Sequence, residues 1–143
     1  MRVSVRSVVL TLALVAAATL LVAADPPYVG TWKLNPAKSN FGETTVTYEQ
    51  MAGGQMKLTA DGQSYTFKTD GKDYPLTGSP NFDTLTLKQV DSHTVHSIQK
   101  KGGKVVGETT RTVSRDGKEL TLASKGTTTD GVAYDNVMVY DKK

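Results

Sequence analysis

Residues 104–125 read KVVGETTRTVSRDGKELTLASK, and this stretch decides the fold. Two runs rich in Thr, Val and Leu flank Asp116-Gly117. In the second run Leu120 and Leu122 alternate with Glu119 and Thr121, a period of two that puts the apolar side chains on one face of a strand. Asp-Gly supplies the positive φ of a tight hairpin turn, so the two runs predict an antiparallel pair.

The same grammar extends outward in both directions. Candidate strands are Tyr28–Leu34, Thr44–Gln50, Gln55–Ala60, Gln63–Thr69, Thr84–Val90, Thr94–Lys100, Lys104–Ser114, Glu119–Lys125 and Val132–Tyr140, with a short extra one over Lys72–Leu76. Gly53-Gly54, Asp61-Gly62, Asp70-Gly71, Gly102-Gly103 and Asp130-Gly131 supply the other turns, so neighbours in sequence are expected to pair. No convincing helical stripe interrupts them. About eight to ten such strands must bury one face and manage two edges, which predicts an all-β, antiparallel up-and-down β-barrel, with a two-sheet sandwich as the alternative.

Alternation assigns an inward face. Tyr28, Gly30, Trp32 and Leu34 share one side of the first strand; Val46 and Tyr48, Met56 and Leu58, Tyr65 and Phe67 continue it, as do Leu85, Leu87, Leu120 and Leu122. Thr45, Thr47, Lys57, Thr66, Lys68, Thr84, Thr86 and Thr121 form the opposite, outer set. Two strands leave the choice open. Val95 and Ile98 fall on opposite faces, and in the last strand Asn136, Met138 and Tyr140 oppose Val137 and Val139.

Met1 to Ala24 reads as a secretory signal peptide: Arg2 and Arg6 precede the apolar run Val8 to Val22, small residues lead to Ala24, and Asp25-Pro26-Pro27 follows. The rival reading is an uncleaved anchor, short for ~30 Å of hydrocarbon. The expected domains are a leader over 1–24 and one barrel over 25–143, secreted or periplasmic and monomeric. Removing the two leader arginines takes the formal charge from +3 to +1, too little for a nucleic-acid surface. With no Cys there is no disulfide framework and no thiol nucleophile.

Tyr28-Val29-Gly30-Thr31-Trp32-Lys33-Leu34 resembles the first strand of the calycin barrels, the lipocalins and fatty-acid-binding proteins, in which a Gly-x-Trp pair closes one barrel end. Ile98-Gln99-Lys100, Gly107-Glu108-Thr109-Thr110, Asp116-Gly117-Lys118 and Val139-Tyr140-Asp141-Lys142 resemble the later hairpins of a fatty-acid-binding protein in the right order. Gly30 to Ser39 also looks like the start of a group of exported bacterial lipocalin-like proteins. The resemblance implies a calycin-type barrel with Trp32 as a structural plug. Two departures limit it: the family's carboxylate-holding Arg-x-Tyr is matched by Met138, Val139 and Tyr140, and Asn35 to Glu43 is too short for the family's two-helix lid. A fatty-acid function therefore does not follow from the fold.

Four residues are the candidate ligand contacts. Tyr48, Tyr65 and Tyr140, with Tyr134 beside them, could line a cavity with rings and hydroxyls, or simply fill a small barrel. Arg111 shares parity with Val105, Thr109 and Val113 and would suit an acidic ligand through its planar donor fork. Arginine is seldom buried, so a solvated outward position is the expectation for it. Asp91, His93 and His96 carry metal-ligating groups, but strand residues three apart diverge unless His93 sits in the turn, and no metal site is expected.

No nucleophile elbow, phosphate loop or dinucleotide fingerprint occurs, so neither catalysis nor a cofactor is expected. The sequence favours non-covalent binding of a small apolar or amphipathic molecule. Its rival is a filled barrel acting on proteins through rim loops Asn35–Glu43 and Thr77–Asp83. Small inward residues such as Ser97, Gly107 and Thr109 would leave a cavity; inward Ile98 and Met138 would fill it.

Overall fold

Asp61 and Gly62 both take positive φ, 47° and 79°, the conformation that turns one strand back along the previous one. Repetition of such turns produces ten antiparallel strands in the computed structural model, which describes residues 24–42 and 44–143. They are β1 (Gly30–Leu34), β2 (Thr45–Gln50), β3 (Met56–Ala60), β4 (Gln63–Phe67) and β5 (Asp70–Pro75), followed by β6 (Thr84–Asp91), β7 (Thr94–Lys101), β8 (Lys104–Val113), β9 (Glu119–Thr127) and β10 (Ala133–Lys142). Apart from Ala24, the expected leader lies outside the described residues.

One sheet contains all ten, in the order β4-β3-β2-β1-β10-β9-β8-β7-β6-β5. The pairing of β1 with β10, Trp32 opposite Lys142 and Leu34 opposite Tyr140, brings the first and last strands together and curls the sheet into a nearly closed barrel. No described ladder joins β4 to β5. Here the expected hairpin fails. Asp70-Gly71 belongs to the start of β5, which carries a bulge between Asp70 and Asp73, so this Asp-Gly does not fold β5 back onto β4. The strand expected from Tyr28 begins at Gly30 because Pro26-Pro27 directs a turn, closed by Val29 N–H to Pro26 O at 2.9 Å.

The inward set packs as one core. Trp32, Tyr48, Met56, Leu87, Leu120 and Tyr140 are the largest wholly buried side chains. The Trp32 indole N–H donates to the Tyr28 carbonyl at 2.8 Å, and the Tyr28 ring meets Tyr48 edge-on with centroids 5.7 Å apart. None of the expected outer residues is buried. Val95, Ser97 and Gln99 face inward on β7 and Ile98 does not, so the alternation is intact there but carried by polar residues. On β10, Met138 and Tyr140 point in. Val139 on the other face is also buried, since residues 35–40 run along this strand: Asn35 N–H donates to Val139 O, and Asn40 N–H to Val137 O.

Several turn carboxylates tie hairpins together. The backbone N–H of Gly102 holds the Asp83 carboxyl below the usual carboxylate range, hydrogen bonds from Thr86 and Lys100 do the same for Asp73, and the Ser114 hydroxyl does so for Asp116. Each folded-state pKa lies below its unfolded value. The associated stability is therefore complete above the unfolded carboxylate pKa of about 4 and is lost as pH falls through the depressed values. Thermal melts are expected to be flat between neutral pH and about pH 5 and to drop below about pH 4.

Candidate functional site

Strand alternation brings side chains from most strands to one interior space, and the barrel does not fill it. A cavity of about 420 Å³ opens among them, at the lower end of the range for small-molecule sites. Tyr48, Tyr65, Arg111 and Tyr140 all line it, and Tyr134 joins them.

Arg111 corrects the expectation of a solvated strand residue. It is 9% exposed, pointing inward from β8 with Thr109 and Val113. Its Nε donates to the Tyr48 hydroxyl at 3.1 Å and its Nη1 to Ser97 Oγ at 2.7 Å. Both partners are neutral. Among the described residues no carboxylate forms an ion pair with it; the ion pairs found are the surface contacts Lys38–Glu119, Lys57–Glu49 and Lys100–Asp73. Its charge reaches nearby groups: the Tyr28 hydroxyl has its pKa raised chiefly by burial and drawn back in part by Arg111. A desolvated cation with only dipoles around it is costly, and an anion beside it would relieve that cost.

The remaining walls divide by chemistry. Val46, Leu58, Leu85, Leu122 and Met138 present apolar surface. Thr109 Oγ1 donates to Ser124 Oγ at 2.9 Å and accepts from Gln99 Nε2 at 3.0 Å, giving the β7–β8–β9 side a polar strip. Residues 78–82 and the exposed Phe41 also line the cavity. That loop is anchored rather than loose, for Asn81 Oδ1 accepts from Thr129 N–H and Asp83 Oδ2 from Gly102 N–H. Thr77–Asp83, considered above as a protein-binding rim, thus contributes to the cavity's own wall. Glu43, in the other rim segment, lies outside the described residues.

The other sequence candidates separate. Trp32 is wholly buried and does not line the cavity, as a plug requires. Gly30 takes φ 136°, and a β-carbon there would meet Lys142 Cε at 3.2 Å, so the glycine accommodates its own backbone and a lysine stem. His93 does sit in the turn, its Nδ1 against Ser92 Oγ, whereas His96 lies on β7 beside Thr110 Oγ1. No group of three metal-competent side chains forms among the described residues. Gln99 and Ser124 were absent from the expected contacts; the parity of Gln99 with Ser97 on β7 is the signal that could have found it.

The barrel superposes on that of a Schistosoma mansoni fatty acid binding protein, solved with arachidonic acid, at a TM-score of 0.57. The chain has the fold of a fatty acid binding protein. The two share 19% identity over 82% of this chain and 96% of the other. As-p18, an extracellular fatty acid binding protein, matches at a TM-score of 0.52 and 16% identity over the same shares. No protein-family model and no curated protein sequence matches the chain. At these identities the likeness concerns the fold, and the fatty acid binding protein lid is where this barrel departs from the pattern described above: a single turn of 3-10 helix, Pro36–Lys38, stands in the link from β1 to β2. Among the described residues no helix is long and apolar enough to cross a membrane.

Proposed function

We propose that this protein is an exported carrier that holds one acidic amphipathic molecule in its barrel without chemistry. The observation that carries this reading is Arg111: a buried guanidinium on the wall of an interior cavity, hydrogen-bonded among the described residues only to neutral hydroxyls. A ligand carboxylate would accept from the donor fork, with Tyr48 holding the guanidinium in place and Tyr140 and Tyr65 bounding the site. The apolar part would pack on Val46, Leu58, Leu122 and Met138, each square ångström removed from water contributing ~25 cal/mol. The cation comes from β8, because Met138 occupies the β10 position at which the related barrels carry arginine. Ligand binding by structural relatives supports the carrier reading over a filled, protein-binding barrel, as does the cavity itself.

Calorimetric titration of residues 25–143 with dodecanoate tests it. This acid has fourteen non-hydrogen atoms, which suits a 420 Å³ cavity. One site per chain is expected, with dodecanol, equally long and uncharged, at least tenfold weaker because it lacks a charge-assisted pair with Arg111. Equal affinity for acid and alcohol would remove Arg111 from the site.

A further inference from the structure

Asp-Gly occurs four times, at 61–62, 70–71, 116–117 and 130–131, and the fold treats the four pairs differently. Such a pair carries its own chemistry. The glycine nitrogen can attack the carbon of the preceding side-chain carboxyl, because the two are held close by the chain and glycine has no side chain to obstruct the approach. In a folded chain the attack needs a carboxyl that is free to turn and a glycine N–H that is not held elsewhere.

Three pairs are tied down. Asp70 Oδ1 accepts from Lys72 N–H at 3.0 Å and its Oδ2 from the Tyr74 hydroxyl at 2.7 Å. Asp116 Oδ1 accepts from Ser114 Oγ at 2.6 Å and from Lys118 N–H at 3.1 Å, while Gly117 N–H donates to Ser114 O at 2.9 Å. At the pair 130–131, Gly131 N–H donates to Thr128 O at 3.0 Å. Asp61-Gly62 has none of these restraints. Among the described residues neither the Asp61 carboxylate nor the Gly62 N–H has a hydrogen-bond partner, and both residues are exposed. A β-carbon at Gly62 would meet nothing within 4 Å, so there is room for a ring to close. Asp61 is also the one described non-glycine residue with positive φ, a conformation that L-residues adopt at a cost.

We infer that Asp61-Gly62 is the site at which the folded protein isomerises spontaneously to a β-linked aspartyl residue. The Gly62 nitrogen bonds to Asp61 Cγ and gives up its proton, a carboxyl oxygen leaves as water, and a cyclic imide results. Water then adds to the main-chain carbonyl carbon of Asp61, and the bond from that carbon to the Gly62 nitrogen breaks. The nitrogen regains a proton and stays joined to Cγ, leaving a free α-carboxylate. One water is released and one consumed, so the mass is unchanged and no other reactant is needed. The main chain now runs through the Asp61 side chain and is one atom longer, in the two-residue turn that sets Ala60 opposite Gln63 and Leu58 opposite Tyr65. Leu58, Ala60 and Tyr65 line the cavity, and β4 has no described ladder on its other side, so this turn is what holds β4 in the cavity wall. The inference is independent of what the cavity binds.

The test is incubation of the folded protein at neutral pH in water enriched in oxygen-18, followed by chymotryptic digestion in ordinary water and mass spectrometry. Each passage through the imide fixes one heavy oxygen, and chymotrypsin places the four Asp-Gly pairs in separate peptides. The peptide holding 61–62 is expected to label about tenfold faster than those holding 70–71 and 116–117, the factor that a hydrogen bond to a carboxylate is worth. It should label about threefold faster than the peptide holding 130–131, where only a neutral backbone hydrogen bond intervenes. In urea, with those restraints gone, all four should label at comparable rates. Asp61→Ser, which has no carboxyl at the turn, should lose the label from that peptide alone. A folded protein in which another pair labels as fast, or in which none labels, overturns the inference. So does the same ranking in urea, because the sequence and not the fold would then select the site.

Discussion

Arg111→Met is expected to weaken dodecanoate binding roughly 10- to 150-fold, the range for losing a hydrogen-bonded pair with a charged group. The same substitution should leave the empty protein as stable as before or more so. These opposite signs separate a ligand-binding arginine from a structural one. A structural arginine would be neutralised by protein carboxylates, and its removal would strand them. Here its partners are Tyr48 and Ser97, both neutral, and Ser97 Oγ keeps its own hydrogen bond to Thr109 O at 3.2 Å when the guanidinium is gone. Methionine fills much of the same volume without a charge to desolvate, and replacing buried charges by apolar groups is often neutral or stabilising. Denaturation in urea, with and without dodecanoate, reads both halves. A variant that is clearly less stable yet binds unchanged would make Arg111 part of the scaffold.

Trp32→Ala should produce the largest loss of stability, about 3–5 kcal/mol of a total of about 5–15 kcal/mol. The indole is wholly buried where β1 joins β2 and β10, opposite Val46 and Lys142. Its removal leaves a void at the seam of the barrel, strands the Tyr28 carbonyl that accepts its N–H, and takes away the ring over which the Lys142 ammonium sits at 5.3 Å. At about 4 °C per kcal/mol, the melting temperature should fall by roughly 12–20 °C. Trp32→Phe, which keeps most of the ring but no donor, should recover more than half. Since Trp32 does not line the cavity, whatever folded fraction remains should still bind dodecanoate. A melting temperature within about 4 °C of wild type would refute the plug.

Much of this was legible in the residues because β-structure writes its faces at a period of two. Leu120 and Leu122, or Val46 and Tyr48, could point only one way if the barrel was to have a core, and both pairs are buried. The closing contact was legible as well, in Gly30-x-Trp32. What escaped has physical causes. β7 could not be oriented because Ser97 and Gln99 occupy inward positions that a hydrophobic pattern leaves blank, and Ile98 is drawn outward. Arg111 was expected in solvent by the general behaviour of arginine, which binding sites violate; its parity with Val113 was the better guide. Asp70-Gly71 spelled a hairpin, yet a bulge absorbed it into β5. The cavity itself follows from the packing of ten strands and the 76–83 loop, so no local pattern announced its volume.

Native mass spectrometry of the protein purified from its native source, before and after equilibration with dodecanoate, tests the carrier reading most directly. The account predicts the mass of residues 25–143 carrying one small acidic molecule, lost on denaturation and exchangeable for a single dodecanoate, with Arg111→Met carrying markedly less than wild type at the same dodecanoate concentration. A wild-type chain that remains bare after equilibration would contradict it.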